Sequence, residues 1–447
     1  MRRSRGTSGG VGRGQCADAA DSCGDEGELV ARAASGVTFL GVLKVREFRA
    51  LWTAEVLSVL GDQLARVALA ILVFDRTESA ALTGLTYALT FVPTLLGGIL
   101  LGGWGDRYPR RDVMVIADVI RAVLVGLMIV PGMPLWVLCV LVAVMTLFFG
   151  PFKAAQQALL PDVLEGEAYL TGMALRNLTS QSAQLVAFAG GGLLVAAVSP
   201  TAGLALDAAT FVVSALLIRF GVRERPAAVT EAEEDRATGV RAFLYRTGAG
   251  ARLVWRDPAL RALVALNWLA GFYVVPEALA APYANAIGAG TGAAVGWLMA
   301  ADPIGSVIGA WIFGRRWIPE PVQVRGLGVL GILAGIPLIL CLLWPGLVTG
   351  MLFFALSGLL ATGYNIQGTV NFVRRLPNNQ RAQGSGLNSA GLITVQGLGA
   401  LVAGLLADAI GPAHAIAAAG AAGALVAVPI AVAWNRARGS SADTSEA

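Results

Sequence analysis

The segment GGWGDRYPRR, residues 102–111, connects two apolar runs at residues 82–103 and 112–131. Each run has about 20 residues, the length that an α-helix needs to cross the hydrocarbon core of a bilayer. A short, strongly basic connection between two such runs is typical of a loop between membrane-spanning helices. The segment therefore predicts an integral membrane protein.

The residue types in this segment also suggest a role. Gly102 and its neighbouring glycines allow two helices to approach closely, and Asp106 precedes a helix whose positive end favours a carboxylate. Arg107, Arg110 and Arg111 supply charges that can pair with carboxylates or carbonyls of neighbouring helices in one conformation. We interpret these five residues as a gating loop, with a plain basic loop as the alternative.

The whole chain has the composition of a membrane protein. Of its 447 residues, 56% are hydrophobic and 14% are charged, whereas soluble proteins are about 25% charged. We predict an all-α integral membrane protein with about twelve transmembrane helices. The predicted spans 1 to 12 are residues 51–74, 82–103, 112–131, 134–153, 171–198, 201–221, 259–281, 291–314, 324–343, 347–371, 384–408 and 412–434.

The positive charges predict an orientation. Arginine and lysine concentrate in cytoplasmic loops, and with a cytoplasmic N-terminus one set of loops holds almost all of them. That set contains Arg107, Arg110, Arg111, Lys153, Arg223, Arg225, Arg315, Arg316, Arg325, Arg374, Arg375 and Arg381. The other set holds essentially Arg76 alone. We therefore expect both termini in the cytoplasm.

The two halves of the chain are related by an internal repeat with one constant offset in numbering, the interval from Gly97 to Gly309. We call this interval the repeat offset. It also matches residues 49–51 with 261–263, Gln184 with Gln396, residues 192–194 with 404–406, and Pro200 with Pro412. Because six is an even number of spans, both halves enter the membrane in the same direction. We predict two six-helix bundles that are parallel repeats.

Composition divides the chain into five segments. They are an N-terminal tail at 1–45 that we expect to be disordered, a first bundle at 46–222, a cytoplasmic linker at 223–258, a second bundle at 259–435 and a C-terminal tail at 436–447. The tail has no apolar core of a signal peptide. The linker is rich in both signs of charge, which is typical of a solvated connector.

Several motifs resemble a known family. Residues 102–111 resemble the loop signature G-x-x-x-D-R-x-G-R-R of the major facilitator superfamily, with Pro109 at the usual glycine. Further segments resemble its drug and siderophore exporter branch: FRALW 48–52, SVLGD 58–62, RVAL 66–69, ADVIRA 117–122, FGPF 149–152, LPD 160–162 and DAATFVVSA 207–215. The resemblance covers about residues 45–435. It implies the major facilitator fold, with two bundles rocking about a central site.

Ionisable residues within the spans are candidate proton or substrate sites, because they cost about 2.5–3.5 kcal/mol each at a helix centre. Asp62 and Arg66 lie one turn apart in span 1, which predicts an ion pair that serves transport or packing. Asp118 and Arg121 predict a structural or gating pair in span 3. Glu277 of span 7 and Asp302 of span 8 are second candidates, whereas Asp207, Asp408 and His414 are expected at the outer interface.

Uncharged polar residues within the spans predict a cavity or bonds between helices. They are Gln181 and Gln184 in span 5, Asn267 in span 7, Asn365 in span 10, and Asn388 and Gln396 in span 11.

These features favour a secondary active transporter in the cell membrane that exports small amphipathic molecules of drug, macrolide or siderophore type. We expect proton antiport by alternating access, with a small-molecule substrate, protons and the lipid bilayer as partners and a monomer as the working form. An importer of the same fold and a non-transporting sensor or scaffold are the alternatives. The chain lacks a phosphate-binding GxxxxGK[ST] loop and has a single histidine. We therefore expect no enzyme activity, cofactor, metal or nucleic-acid partner.

Overall fold

A computed structural model describes residues 38–101, 104–226, 248, 250–314, 320–377 and 380–446. Within these ranges the regular elements are helices, and no residue is assigned to a strand. The predicted all-α membrane fold is confirmed.

The first half contains six spans. Span 1 is Arg46–Thr77, span 2 is Ala80–Ala88 with Val92–Leu101, span 3 is Arg110–Met128, span 4 is Leu135–Leu147 with Phe149–Val163, span 5 is Gly166–Ala197, and span 6 is Pro200–Gly221. Short helices at Phe39–Leu43 and Trp104–Arg107 precede spans 1 and 3. Ser79 and Ser199 begin spans 2 and 6 by accepting hydrogen bonds from backbone N–H groups three residues ahead.

The second half repeats this arrangement. Span 7 is Pro258–Trp268, Ala270–Tyr273, Val275–Ala278 and Ala280–Ala286, and span 8 is Gly292–Gly314. Span 9 is Glu320–Leu343, span 10 is Leu347–Arg375, span 11 is Arg381–Ile410 and span 12 is Pro412–Glu446. Span 7 is interrupted because Pro276 and Pro282 lack the N–H that continues a helix.

Span 3 shows why charge alone does not exclude a membrane helix. Eleven described helical segments are long and apolar enough to cross a membrane, and span 3 is not among them. Its 19 residues extend about 28 Å but include Asp118 and Arg121, both almost fully buried. Because these charges face the protein interior rather than lipid, span 3 can still lie within the membrane.

The end segments differ in part from the prediction. Residues 38–45 of the predicted disordered tail include the helix Phe39–Leu43, whose Val42 is buried beside Phe48 and Leu160. Disorder is therefore wrong for these residues, because Val42 finds an apolar pocket. Residues 1–37 and the linker residues 227–247 lie outside the described part of the chain. Span 12 continues into the predicted C-terminal tail as far as Glu446.

Glycine contacts show the internal repeat in three dimensions. In the first half, Gly97 of span 2 lies against the Leu147 carbonyl of span 4. In the second half, Gly309 of span 8 lies against the Leu359 carbonyl of span 10. Each member of the second pair follows its counterpart by the repeat offset. The sequence repeat is therefore also a repeat of helix packing.

The same offset relates the contacts between the halves. Gly84 of span 2 lies against Gly404 of span 11, and Gly192 of span 5 lies against Gly296 of span 8. By the repeat offset, Gly296 is the counterpart of Gly84 and Gly404 is the counterpart of Gly192. The two seams, span 2 with span 11 and span 5 with span 8, are thus related by an approximate twofold axis between the bundles.

We refer to the two ends of the bundle by their loops. The basic end carries the loops between spans 2 and 3 and between spans 4 and 5, and the opposite end carries the loop at residues 78–79. Gly84 and Gly296 lie near the starts of their spans, and Gly192 and Gly404 lie near the ends of theirs. Both seams therefore lie toward the opposite end.

The seam between spans 5 and 8 gives a first prediction. A Cβ atom at Gly192 would lie 2.7 Å from the Gly292 carbonyl oxygen and 2.8 Å from the Gly296 nitrogen. Gly192→Val should therefore destabilise the protein by about 1–3 kcal/mol, seen as a lower melting temperature in detergent. Gly190→Val is the matched control, because a Cβ there meets nothing within 4 Å. Equal melting temperatures for the two variants would contradict the described seam.

Candidate functional site

A central cavity of about 260 Å³ lies between the two halves. It collects most of the pathway residues that the sequence suggested, from both bundles. These are Arg66, Gln181 and Gln184 from the first half and Glu277, Asp302, Asn365 and Gln396 from the second. Phe91, Tyr273 and Tyr364 add aromatic surface. The lining therefore combines charge, hydrogen-bonding groups and apolar rings, as an amphipathic ligand requires.

A second cavity of about 160 Å³ lies within the first bundle. Asp62 and Arg121 line it together with Gln63, Phe149 and Thr146. Arg66 and Gln184 belong to the lining of both cavities. The two spaces therefore adjoin at these residues.

The partner of Asp62 differs from the predicted one. Arg121 Nη2 of span 3 donates to both Asp62 oxygens, at 2.8 and 3.1 Å. The predicted ion pair of Asp62 with Arg66 is therefore wrong. A guanidinium that reaches across from a neighbouring span displaces the local pair, because Arg121 is almost fully buried and needs a counter-ion. The predicted pair of Asp118 with Arg121 is present, with its closest N–O distance at 3.5 Å.

Arg66 instead lies among aromatic rings. Its guanidinium carbon is 5.9 Å from the centre of the Tyr87 ring and 5.5 Å from that of Phe91, within the range of cation–π attraction. Among the described residues, no carboxylate oxygen lies within 4.0 Å of Arg66. Its charge is therefore available to the central cavity, where Glu277 and Asp302 also lie.

Glu277 connects the two halves. The Tyr87 hydroxyl of span 2 donates a short hydrogen bond to Glu277 Oε2 of span 7. Asp302 packs against Gly358 of span 10, where a Cβ would lie 2.7 Å from Asp302 Oδ1. The two carboxyl groups of the cavity are therefore held in different ways. A hydrogen bond between the halves positions Glu277, whereas close packing against the backbone of span 10 positions Asp302.

Asn267 and Asn388 lie apart from the cavities. Asn267 Nδ2 donates to Asn388 Oδ1 at 3.3 Å, and Trp268 Nε1 donates to the Asn388 carbonyl at 3.2 Å. Neither asparagine lines the two cavities described above. For this pair, the structure shows a hydrogen bond between helices, which was the predicted alternative to a place in the cavity.

The loop arginines are anchored within the first half. Arg110 Nη1 donates to Asp162 Oδ2 at 2.6 Å and to the Ala158 carbonyl at 2.9 Å, both in span 4. Arg111 Nη2 donates to Glu224 Oε2 at 2.5 Å, just beyond span 6. These bonds bring the basic ends of spans 3, 4 and 6 together.

The structure describes the other members of the predicted gating loop only in part. Arg107 is exposed to solvent. Gly102 and the side chain of Asp106 lie outside the described part of the structure. Their gating role stays a prediction.

A second charge cluster, which the sequence analysis did not identify, joins spans 1, 4 and 5. Glu55 Oε1 accepts from Lys153 Nζ at 2.6 Å and from Arg176 Nη2 at 2.8 Å. Gln156 Oε1 accepts from Arg176 Nη2 at 2.9 Å and from Lys153 Nζ at 3.2 Å. Glu55 is 7% exposed. A carboxylate within the apolar run 51–74 was the signal that could have identified this cluster.

Asp408 forms a contact between the halves at the opposite end. Its two oxygens accept from Ser79 Oγ at 2.7 Å and from the Ala80 backbone N–H at 2.6 Å. Asp408 therefore caps the first turn of span 2, where unpaired N–H groups favour a carboxylate. We call this contact the Asp408 latch. Asp408 lies near the end of its span, and it also holds the two halves together.

Asp207 is not interfacial. It is fully buried in span 6, against Gly61 of span 1. The prediction was wrong because a residue one third of the way along a span can still face the interior of the bundle.

The chain is a membrane transporter of the Major Facilitator Superfamily. The model of that family matches residues 51–334, which is more than half of the chain. The fold of two six-helix repeats around a central cavity agrees with this membership. Its members are transporters rather than enzymes.

Sequence identity to the curated relatives is low. The chain is 27% identical to the multidrug efflux pump Tap of Mycolicibacterium fortuitum over 78% of this chain and 87% of that protein. It is 26% identical to the enterobactin exporter EntS of Shigella boydii over 85% of this chain and 90% of that protein. It is 23% identical to the MFS-type transporter YfiS of Bacillus subtilis, with the match spanning 63% of this chain and 66% of YfiS.

Solved structures show the same fold. The crystal structure of the nucleoside transporter NupG matches with a TM-score of 0.66 at 15% identity, covering 86% of this chain and 99% of that chain. At this identity the likeness concerns the fold alone.

The pair of Arg121 and Asp62 gives a second prediction. Arg121→Met leaves buried carboxylates without their cation, which should destabilise the protein by about 3–5 kcal/mol. Adding Asp62→Asn removes one of the unpaired charges, so the double variant should melt above the single one. Melting temperatures in detergent, followed by tryptophan fluorescence, test this order. A double variant that melts at or below Arg121→Met would contradict the pairing.

Proposed function

We propose that this protein exports small amphipathic molecules from the cell, by proton antiport and with alternating access. The observation that carries the proposal is the central cavity, where Arg66, Glu277 and Asp302 lie beside aromatic rings such as Phe91 and Tyr273. Aromatic rings favour an apolar body, and the two carboxyl groups favour a cationic or hydrogen-bonding group at its edge. The similarity to the multidrug efflux pump Tap and the enterobactin exporter EntS supports the outward direction.

The orientation of the chain supports an inward-open state. Arginine-rich loops face the cytoplasm in membrane proteins, so the basic end is the cytoplasmic end in this proposal. The glycine seams and the Asp408 latch then close the extracellular end. Alternating access requires these contacts to break when the cavity opens outward.

An importer of the same fold is the main alternative, and the structural likeness to a nucleoside transporter keeps direction a matter for experiment. A sensor or scaffold is a second alternative. It would bind ligand without moving it across the membrane.

Export gives a third prediction. Bacterial cells that express the protein should accumulate less of a lipophilic cationic dye than cells carrying the Asp302→Asn variant. The reason is that Asp302 places a carboxyl group in the cavity, where it can bind the cationic group of the dye. Dye fluorescence in energised cells, before and after a protonophore is added, measures the difference. Asp75→Asn is the matched control, because Asp75 is exposed near the end of span 1.

Three outcomes separate the functions. Lower dye content that is lost with the protonophore supports proton-driven export. Greater dye content in expressing cells would indicate an importer. Saturable dye binding to the purified protein without flux in vesicles would indicate a sensor.

The Asp408 latch gives a fourth prediction. Asp408→Asn removes the charge that caps span 2, so the extracellular end should open more often. A cysteine placed at Ala80 in a variant lacking all four native cysteines, Cys16, Cys23, Cys139 and Cys341, should then react faster with an impermeant maleimide added outside. Replacing Asp75 by Asn in the same background is the control. An unchanged labelling rate would show that the latch does not hold the closed state.

A further inference from the structure

The feature that the proposed transport site leaves unused is Asp207, in the interior of the first bundle. Its side chain is fully buried, and neither carboxyl oxygen has a hydrogen-bond partner among the described residues. The neighbouring Thr210 hydroxyl donates to the Asp207 backbone carbonyl instead, at 2.7 Å. Oδ1 lies beside Gly61, at a position that the Cβ of any other residue would occupy. An acidic side chain with no donor in such a place needs an explanation.

The charged groups around Asp207 make its ionised form unfavourable. Asp62 of span 1 and Asp118 of span 3 place two further carboxyl groups nearby, and Arg121 of span 3 carries the positive charge. Arg121 is already engaged with Asp62, at 2.8 Å, and with Asp118, at 3.5 Å. Three carboxyl groups therefore share one guanidinium.

The hydrogen bonds indicate which carboxyl group is neutral. Asp62 accepts two bonds from Arg121, and Asp118 Oδ2 accepts from Ser214 Oγ at 2.5 Å. These donors stabilise the charged forms of Asp62 and Asp118. Asp207 has no such donor, and a buried carboxylate without a donor is costly, so a bound proton is the stable state.

A spare donor lies in the same cluster. Arg121 Nε is buried and has no hydrogen-bond partner among the described residues. The guanidinium stacks over Phe211 of span 6, with its carbon 3.9 Å from the ring centre. Phe211 lies one helical turn after Asp207 in span 6. An unused donor and an unused acceptor group therefore lie within one buried cluster.

We propose that Asp207 carries the proton that is exchanged for substrate, and that Arg121 becomes the counter-ion of Asp207 when this proton leaves. The proposal rests on the proposed proton antiport and assigns its proton site. In the present state Asp207 holds the proton and Arg121 holds Asp62. On release the Asp207 O–H bond breaks and the proton passes to water in the cavity that Asp62 lines. The new carboxylate then accepts from Arg121, which loosens the bond between spans 1 and 3.

The proton site in this proposal is Asp207, which lies behind the sequence candidate Asp62. Asp62 stays the residue that faces the cavity, with a side chain 20% exposed, while Asp207 is buried in the present state and must gain contact with the cavity water before its proton leaves. Arg66 and Gln184 line both cavities and therefore couple substrate binding in the central cavity to the proton release from Asp207. Arg121 is a positioning residue in this scheme, and Asp207 is the proton carrier.

Infrared difference spectroscopy of the purified full chain, in a detergent without carbonyl groups, tests proton occupancy. A protonated carboxyl group has a carbonyl stretching band that a carboxylate lacks. We expect the wild-type spectrum at neutral pH minus the Asp207→Asn spectrum to contain such a band. The wild-type spectrum minus the Asp75→Asn spectrum should lack it. If the Asp207→Asn difference spectrum also lacks the band, Asp207 holds no proton and the proposal is overturned.

Transport by the same variants tests the role of the proton. A lipophilic cationic dye is followed in two assays, uptake driven by a pH gradient and exchange of labelled for unlabelled dye without a gradient. Asp207→Asn should exchange dye at the wild-type rate but lose the response to the gradient, because its amide resembles the neutral acid. Asp207→Ala, also uncharged, should behave in the same way and guards against a defect peculiar to the amide.

The outcomes distinguish the proton site from the proposed function. Gradient-driven uptake that persists in both Asp207 variants would overturn the proton site and leave antiport standing. Dye exchange by the wild-type protein with no response to a pH gradient would overturn antiport and the proton site together. Loss of both assays in a variant that retains the wild-type melting temperature would make Asp207 part of substrate movement instead and would also overturn the proposal.

Discussion

Close backbone packing of glycines between the two halves is the constraint on which the rest of the structure depends. Lipid tails are as apolar as leucine, so the hydrophobic effect does little to hold membrane helices together. Gly84 against Gly404 and Gly192 against Gly296 provide van der Waals contact that larger residues would prevent. Because these seams lie toward one end, they close that end and leave the space between the halves as the central cavity. The internal repeat thus produces both the fold and the place for a substrate.

The charged and polar residues are arranged differently in the two halves. The first half contains the buried cluster of Asp62, Asp118, Arg121 and Asp207. The second half offers Glu277 and Asp302 to the cavity, and Tyr87 of the first half bonds Glu277. Changes of charge in this buried cluster are therefore positioned to alter helix packing, whereas Glu277, Asp302 and Arg66 are positioned to contact a ligand in the central cavity.

The sequence predicts the features that depend on a local pattern, but it does not predict which neighbouring helix a side chain faces. Apolar length located every span, and the repeat offset predicted the packing repeat, because both can be read along the chain. The partner of Asp62 lies 59 positions away in Arg121, so spacing within span 1 could not identify it. Depth along span 6 was known for Asp207, but its direction toward Gly61 was not. Asp408 and Ser79 are 329 positions apart and meet only because the halves close.

The Asp408 latch has no counterpart across the twofold axis. The residue that precedes Asp408 by the repeat offset is Ala196, and it packs against Gly292, the counterpart of Ala80. One seam is therefore fastened by a charged cap, while the corresponding contact in the other seam consists of backbone and apolar packing. Two equivalent seams of unequal strength do not part together. We expect the halves to separate first between spans 5 and 8 and to rotate about the seam between spans 2 and 11. The opening at that end is then wider between spans 5 and 8 and does not share the twofold symmetry of the bundles.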